Sequence, residues 1–315
     1  MKRLFTQGLK FLGVTLALYL LTFLALYKIS IGKPLIYRTA DYYQWKGGVA
    51  QAKFAEWDPS AKWDAVVIGS SHAYRGYDPR VFAARGYRMF NLGSTAQTPL
   101  STYTILKNYV DSSRTKLVIL DLYENTMDQD GLESVSDLSQ NLPTDLAAAE
   151  LTARFRDLRG VNMFTLRMLN KQGPVMYKDP NYKGNGFAIK ADSVKKKITY
   201  EKGKTLKLND RQKEYFVKCL DLCAERGISV VLATHFYPHQ SDQQRHLDLK
   251  RWVEPLIADR GILWLDFSYS HTLSDTNHFC DHNHMNEAGS RIFNERLLDS
   301  LEAKGYLPHL SRVPL

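Results

Sequence analysis

A serine hydroxyl becomes a useful nucleophile at neutral pH when an imidazole can take its proton and a carboxylate fixes that imidazole's tautomer. Two segments roughly two hundred residues apart supply those groups here: Val66-Val67-Ile68-Gly69-Ser70-Ser71-His72 and Asp281-His282-Asn283-His284-Met285-Asn286. The first reads as a buried strand delivering a serine into a tight turn, the second as an Asp-x-x-His step before a helix. Ser71 is the candidate nucleophile, His284 the base and Asp281 the orienting acid. Two residues between acid and base let a turn bring Asp281 back onto the ring nitrogen that faces away from serine. Such chemistry calls for no cofactor. His72, Arg75 and Tyr77 are candidates for substrate contact, and His235 and His239 for the pocket wall. The run His278 to His284 also contains metal-ligand types, but no second ligand pair with metal spacing occurs elsewhere, so no metal is expected.

The elements that must position these groups follow from hydrophobic pattern. Apolar runs at 64–70, 87–92, 116–122, 228–233 and 262–266 read as strands. Between and after them, helical patterns begin at Pro79 behind an Asp78 N-cap and occupy 100–110, 144–158, 161–170, 209–226, 243–259 and 286–304, with a break near Gly160. Strands alternating with helices predict an α/β fold: a doubly wound, three-layer α/β/α sandwich around a mainly parallel five-stranded sheet. Sites in such sheets collect at the carboxyl ends of strands. Ser71, Gly93 and Asn125 follow the first three strands, and Asp281 to His284 precede the last helix.

With these blocks placed, the chain resembles the SGNH, or GDSL-like, hydrolase superfamily over roughly residues 60–305, interrupted at about 130–207. Gly69-Ser70-Ser71 stands at the family's Gly-Asp-Ser block, with Ser70 in place of Asp. Asn91-Leu92-Gly93 matches the second block, and Asp281, His284, Met285 and Asn286 match the last. The resemblance implies a flavodoxin-like fold, Ser71 as nucleophile and the Gly93 N–H as an oxyanion donor. The third block departs from the pattern, with Asp121-Leu122-Tyr123-Glu124-Asn125 where the family has Gly-x-Asn-Asp. Asn125 is the positional candidate for the side-chain oxyanion donor, against an ordinary loop or capping role.

Toward the amino terminus, seventeen uncharged residues run from Phe11 to Tyr27 between Lys10 and Lys28. A helix of that length spans ~25 Å, the lower limit for crossing a bilayer. No small-x-small cleavage pattern follows, which favours an uncleaved anchor over a signal peptide. Lys2, Arg3 and Lys10 precede it, so a cytoplasmic amino terminus and an extracytoplasmic domain, in a periplasm or at a cell surface, are expected. The organisation is then an anchor over 1–30, an aromatic-rich stem over 31–60, and a catalytic domain over 61–310 carrying a helical and basic insertion at about 130–207. Cys219 and Cys223, one helical turn apart, read as packed thiols; three cysteines imply no disulfide framework.

From Lys171 to Lys207 there are ten lysines, no arginines and three acids, leaving +7 of the chain's formal +9. Lys195, Lys196 and Lys197 are the densest part. The stretch is either a solvated face or an electrostatic lure for an anionic envelope polymer or lipid headgroups. No nucleic-acid recognition motif accompanies the charge, so nucleic acid is not an expected partner. Anchor, SGNH-like domain and basic insertion together resemble the envelope acyl-transfer branch, with relatives in alginate O-acetylation and teichoic-acid D-alanyl transfer. That resemblance implies a membrane-anchored esterase or O-acyltransferase working on an envelope glycan through an acyl-enzyme, with a membrane-bound O-acyltransferase as donor partner. A noncatalytic glycan-binding or scaffold protein is the alternative, and a metal-dependent hydrolase a minor third.

Overall fold

Residues 1–40, 43, 47–170, 175, 177–192, 200 and 203–308 are described by the structure, a computed structural model. Lys195, Lys196 and Lys197 lie outside the described residues. The chain divides into two compact units, Met1–Trp45 and Lys46–Leu315. In the first, helix α1 (Lys2–Lys28) is long and apolar enough to cross a membrane. Its only buried side chain is Phe23.

In the second unit, strands rich in Val, Ile and Leu need cover on both faces, and a parallel sheet with helices on each side supplies it. Strands β1 (Trp63–Ile68), β2 (Met89–Asn91), β3 (Thr115–Asp121), β4 (Ser229–Thr234) and β5 (Leu263–Asp266) form one sheet in the order β2-β1-β3-β4-β5. Every pairing is parallel, with Val66 opposite Phe90 and Val118, and Val118 opposite Val230. Side chains alternate between faces. Ala65, Val67, Leu117, Ile119, Val231 and Ala233 join one core cluster with Tyr77, Phe82, Phe293, Leu297 and Leu301. Those partners come from helices α3 (Ser71–Gly76), α4 (Pro79–Ala84) and α11 (Glu287–Ala303) and their junctions. The other face carries α5 (Pro99–Tyr109) and α9 (Asp210–Glu225), which pack on each other, and Trp252 of α10 (Gln244–Ala258) meets Phe216 of α9 at 5.4 Å. Cys219 and Cys223 are buried free thiols inside α9.

The five strands and the three-layer arrangement are those read from the sequence, and local chemistry explains the differences. Strand β1 stops at Ile68 because Ser70 caps α3, its Oγ accepting from His72 N–H at 3.2 Å. The break expected near Gly160 falls earlier, between α7 (Asp145–Phe155) and α8 (Leu158–Asn170). Arg156 takes a left-handed conformation (φ 55°) and Asp157 Oδ1 accepts from Arg159 N–H, which restarts the helix. Gly160 is inside α8, where a β-carbon would meet the Phe155 ring at 2.9 Å. Within the segment read as stem, α2 (Gly48–Glu56) packs on α6 (Leu132–Asn141), while Phe54 packs against Tyr109, and Trp57 stacks on Trp63 and meets Phe90 edge-on.

A small hairpin, Tyr182–Gly184 with Phe187–Ala188, closes over the free edge of β2, where Asn91 N–H donates to Asn185 O. Gly186 has φ +78°, and a β-carbon there would lie 1.8 Å from the Asn91 carbonyl oxygen. Gly203 has a similar φ of +74° with nothing within 4 Å. Gly186→Ala is therefore expected to cost roughly 2–4 kcal/mol and Gly203→Ala about 1. Urea midpoints of the two variants compare them directly. Equal midpoints would mean that the hairpin does not dock on β2.

Candidate active site

Asp281 and His284 are delivered by a pinned loop. Phe279 and Met285 form an isolated antiparallel bridge, Cys280 N–H donates to His284 O at 2.9 Å, and Asn286 N–H donates to His278 O at 3.0 Å. Asn286 then caps α11, its Oδ1 accepting from Gly289 N–H at 3.1 Å. Inside the loop, Asp281 Oδ1 accepts from the backbone N–H groups of Asn283 (3.0 Å) and His284 (2.8 Å), which folds the carboxylate back toward the ring. His284 Nδ1 lies 2.9 Å from both Asp281 oxygens, and Nε2 lies 2.8 Å from Ser71 Oγ. The structure thus brings together the three groups that sequence spacing singled out. Burial pushes the His284 imidazole below its ordinary pKa, with Arg75 and His282 adding to the effect and Asp281 opposing it. Burial opposes charge on Asp281 too, yet its hydrogen bonds with His284 and Asn283 hold the carboxyl well below the usual range.

The oxyanion candidates stand differently. Ser71 N–H, at the first turn of α3, has no acceptor among the described residues. Gly93 N–H donates to Asn91 Oδ1 at 3.0 Å. A β-carbon at Gly93 would meet Ala73 Cβ at 2.7 Å, so glycine is required by packing behind the nucleophile. Asn125 is held sideways: its Nδ2 donates to Tyr123 Oη, and its Oδ1 accepts from Arg245 Nε at 2.9 Å. Its amide is thereby committed to positioning Tyr123 and Arg245.

A cavity of about 500 Å³ adjoins the loop, lined by His72, His282 and Asn283 from the candidate-site segments and by Asn125 and Arg245. Four tyrosines also line it: Tyr123, Tyr200, Tyr237 and Tyr269. Three of them stand two or three residues beyond the ends of β3, β4 and β5. That recurrence is readable in the sequence once the strands are assigned, and the reading by motif passed over it. His72 is buried with neither ring nitrogen hydrogen-bonded, between Tyr123 (3.7 Å between centroids) and His235 (4.2 Å). Burial, then the neighbouring His235 and His284, keep it neutral. His235 and His239 do not line this cavity: His235 is buried with Nδ1 2.7 Å from Phe236 O, and the His239 ring lies against His271 at 4.3 Å. Tyr77 is also withdrawn from substrate, fully buried with its hydroxyl donating to Asp121 Oδ1 at 2.8 Å. Arg75 opens into a different depression, with Tyr74 and Tyr177. Among the described residues no group of three or more His, Cys, Asp or Glu side chains is gathered to hold a metal ion.

Beneath the tyrosines, Glu124 Oε2 accepts from Tyr237 Oη at 2.9 Å, and His246 Nε2 lies 3.0 Å from Asp266 Oδ2. Lys250 Nζ donates to the same Asp266 oxygen at 2.8 Å.

No family model matches the chain, and no curated protein matches it. Among solved structures, a catalytic mutant of an acetylxylan esterase from Geobacillus stearothermophilus is 13% identical, covering 76% of this chain and 94% of its own, with a TM-score of 0.42. A GDSL-like lipase from Bacteroides thetaiotaomicron is 12% identical over 76% of this chain and 88% of its own, with a TM-score of 0.41. The acetyl xylan esterase AlAXEase is 12% identical over 75% and 99%, also at 0.41.

The His246 network carries a pH signature. Burial works against charge on His246, but Asp266 and Glu124 outweigh it and raise the pKa to about 9, against 6.5 for a free imidazole. The folded state therefore binds the extra proton between those values, so the stabilisation is complete below pH 6.5 and is lost as pH rises through 9. The gap in melting temperature between wild type and His246→Gln is expected to narrow from pH 6 to pH 9.5. Lys53, which burial lowers to about 7, and Asp121, which burial raises to about 8, titrate in both proteins and drop out of the gap. A constant gap would show that His246 is held as the neutral form.

Proposed function

We propose that the chain is a membrane-anchored serine esterase or O-acyltransferase of SGNH type, acting on acyl groups of a cell-envelope polysaccharide. The observation that carries this reading is the unbroken hydrogen-bonded line Ser71 Oγ, His284, Asp281. Ser71 Oγ attacks the ester carbonyl while His284 Nε2 takes the hydroxyl proton, and Asp281 keeps the other ring nitrogen protonated and oriented. Collapse of the tetrahedral intermediate breaks the bond to the leaving alcohol, which departs with the proton from His284. The Ser71 acyl ester is then attacked by water or by a glycan hydroxyl, His284 taking its proton, and the second tetrahedral intermediate collapses by breaking the bond to Ser71 Oγ, which takes that proton back. Ser71 N–H is the donor free to meet the oxyanion; Gly93 N–H joins if Asn91 Oδ1 releases it. Tyrosine faces and side-chain hydrogen-bonding groups in the adjoining cavity suit a sugar ring. Helix α1 would serve as the anchor, with a cytoplasmic amino terminus and the domain in the periplasm or at the cell surface. A membrane-bound O-acyltransferase would be the acyl donor.

A second reading, a noncatalytic glycan-binding or scaffold protein of an acylation complex, draws on the engagement of Gly93 N–H and Asn125 with other partners. Labelling the detergent-solubilised protein with a fluorophosphonate separates the two. An adduct on Ser71 that vanishes in Ser71→Ala and His284→Ala is expected. No adduct under conditions that label a known serine hydrolase would favour the scaffold. The labelling rate should rise with pH along a limb centred below 6.5, because His284 acts as base only when neutral and its pKa is lowered. In Asp281→Asn the limb should move lower still, since a group raising that pKa is gone, and the plateau should fall on the order of 10⁴-fold. A pH-independent rate between 5 and 8 in the wild type would remove His284 from the base role.

A further inference from the structure

Helix α3 contributes to two depressions of different character. His72 faces the tyrosine cavity, where Glu124, Asp128 and Asp242 stand against Lys204 and Arg245. Tyr74 and Arg75 enter a second depression of about 420 Å³, walled by Tyr177, Lys178, Asp179 and Lys190. It continues into a third of similar size, which shares Asn181, Ile189 and Lys190 with it and adds Lys183 together with the acids Asp192 and Glu287, the latter paired with Arg80. The wall is built into the fold: Gly48 N–H donates to Tyr177 O at 3.1 Å, and any side chain at Gly48 would strike the Tyr177 hydroxyl at 2.6 Å.

Cations dominate the second depression. Arg75 is half-buried, its guanidinium 5.5 Å from the Tyr74 ring centroid, and it makes no ion pair among the described residues. The one acid in the wall, Asp179, already accepts from Asn181 N–H at 2.8 Å and from Asn181 Nδ2 at 3.0 Å. Asp281, whose field Arg75 feels, is taken up by His284. A partly desolvated guanidinium fork without a carboxylate is a ready receptor for a planar or tetrahedral oxyanion, and two nearby ammonium groups add attraction. Arg75 also disfavours a proton on His284, so an anion docked on it would offset that repulsion and strengthen the base.

We infer that Arg75, with Lys178 and Lys190, forms an anion subsite one helical turn beyond Ser71, and that the ester substrate is a glycan unit bearing a carboxylate or phosphate. The word substrate rests on the acyl-transfer reading; the anion subsite does not. The test is calorimetric titration of the full-length Ser71→Ala protein in detergent with digalacturonate, glucose 1-phosphate and neutral digalactose. At least one anion is expected to bind 10-fold or more tightly than digalactose, with affinity falling as salt rises. The two anionic arms tell carboxylate from phosphate. Adding Arg75→Gln and Lys190→Gln should weaken that binding at least 10-fold, while Arg75→Lys should keep part of it. Should the Arg75→Gln protein melt early, Lys178→Gln with Lys190→Gln, both exposed positions, reads the same site. Failure of both anions to outbind digalactose, or anion binding unchanged by the substitutions, overturns the inference. Because Ser71→Ala cannot be acylated, this result is independent of fluorophosphonate labelling. Labelling without anion preference removes the subsite alone, and anion binding without labelling removes the acyl-transfer reading alone.

Discussion

Ser71 can stand 2.8 Å from His284 because glycines at 69 and 93 let the chain segments behind it close up. A β-carbon on Gly69 would meet Asp121 Cβ at 2.7 Å, and one on Gly93 would meet Ala73 Cβ at the same distance. The turn after β1, the end of β3 and the loop after β2 are therefore in backbone contact at the carboxyl edge of the sheet. Ser94 N–H donates to Gly69 O at 3.0 Å and Asn91 Nδ2 to Ala73 O at 2.7 Å, which ties the β2 loop to α3. From the other side, α11 is held to α3 by Ser290 Oγ and Asn294 Nδ2, both donating to Gly76 O. His284 precedes α11 by three residues, so these contacts fix the distance between nucleophile and base. The cost of loosening any of them would be felt in geometry before stability, since reacting groups tolerate little displacement.

The same edge stores several buried ionisable groups, and their environments divide the labour. Burial raises the Asp121 carboxyl to about 8, despite the Tyr77 hydrogen bond, so it stays largely protonated behind Gly69. Burial lowers Lys53 to about 7, with Asp137 opposing; its Nζ reaches the Gly93 carbonyl and lies 4.7 Å from the Tyr74 ring centroid. Helix α2 thereby supports the loop that carries Gly93 and ties that segment to the candidate site. His72 is neutral, His246 is charged, and Asp281 is charged. His284 has one ring nitrogen on a carboxylate and the other on the Ser71 hydroxyl, and burial lowers its pKa while Asp281 opposes the shift.

Much of this was legible in the sequence. Runs such as Lys-Leu-Val-Ile-Leu-Asp-Leu name buried parallel strands by composition, and Asp78-Pro79 and Asn286 name helix starts by capping chemistry. The meeting of Ser71, His284 and Asp281 was legible because a nucleophile, a base and an orienting acid would each demand a particular residue type at a particular strand or helix end. For Asn125, position after β3 does not by itself fix direction: its amide is hydrogen-bonded to Tyr123 and to Arg245, a partner far away in sequence. The helix break was misplaced because Gly160 looks like a stop, whereas the left-handed turn is carried by Arg156. Short α3 is hidden in Ser-His-Ala-Tyr-Arg-Gly, which has no apolar period and forms because Ser70 caps it.

The positive charge of the chain gains meaning when it is divided by depth rather than summed. Exposed lysines such as Lys178, Lys183 and Lys190 sit in high dielectric, where each contributes a diffuse attraction that salt screens. Arg75 differs in being partly desolvated and rigidly placed on α3, so its field is strong over short range and directional. Exposed cations of this kind can raise the local concentration of an anionic polymer without choosing which bond is presented. Choosing requires a fixed charge at a set distance from the nucleophile. Arg75 follows Ser71 by one turn of a helix whose start is locked by Ser70 and whose end is locked by α11, and it has that fixed distance. If an anion on the substrate is read at Arg75 while a sugar face is read by the tyrosines, the acyl ester between them is delivered to Ser71 by two contacts of different physics. Salt would then weaken recognition at one side and leave the other nearly unchanged.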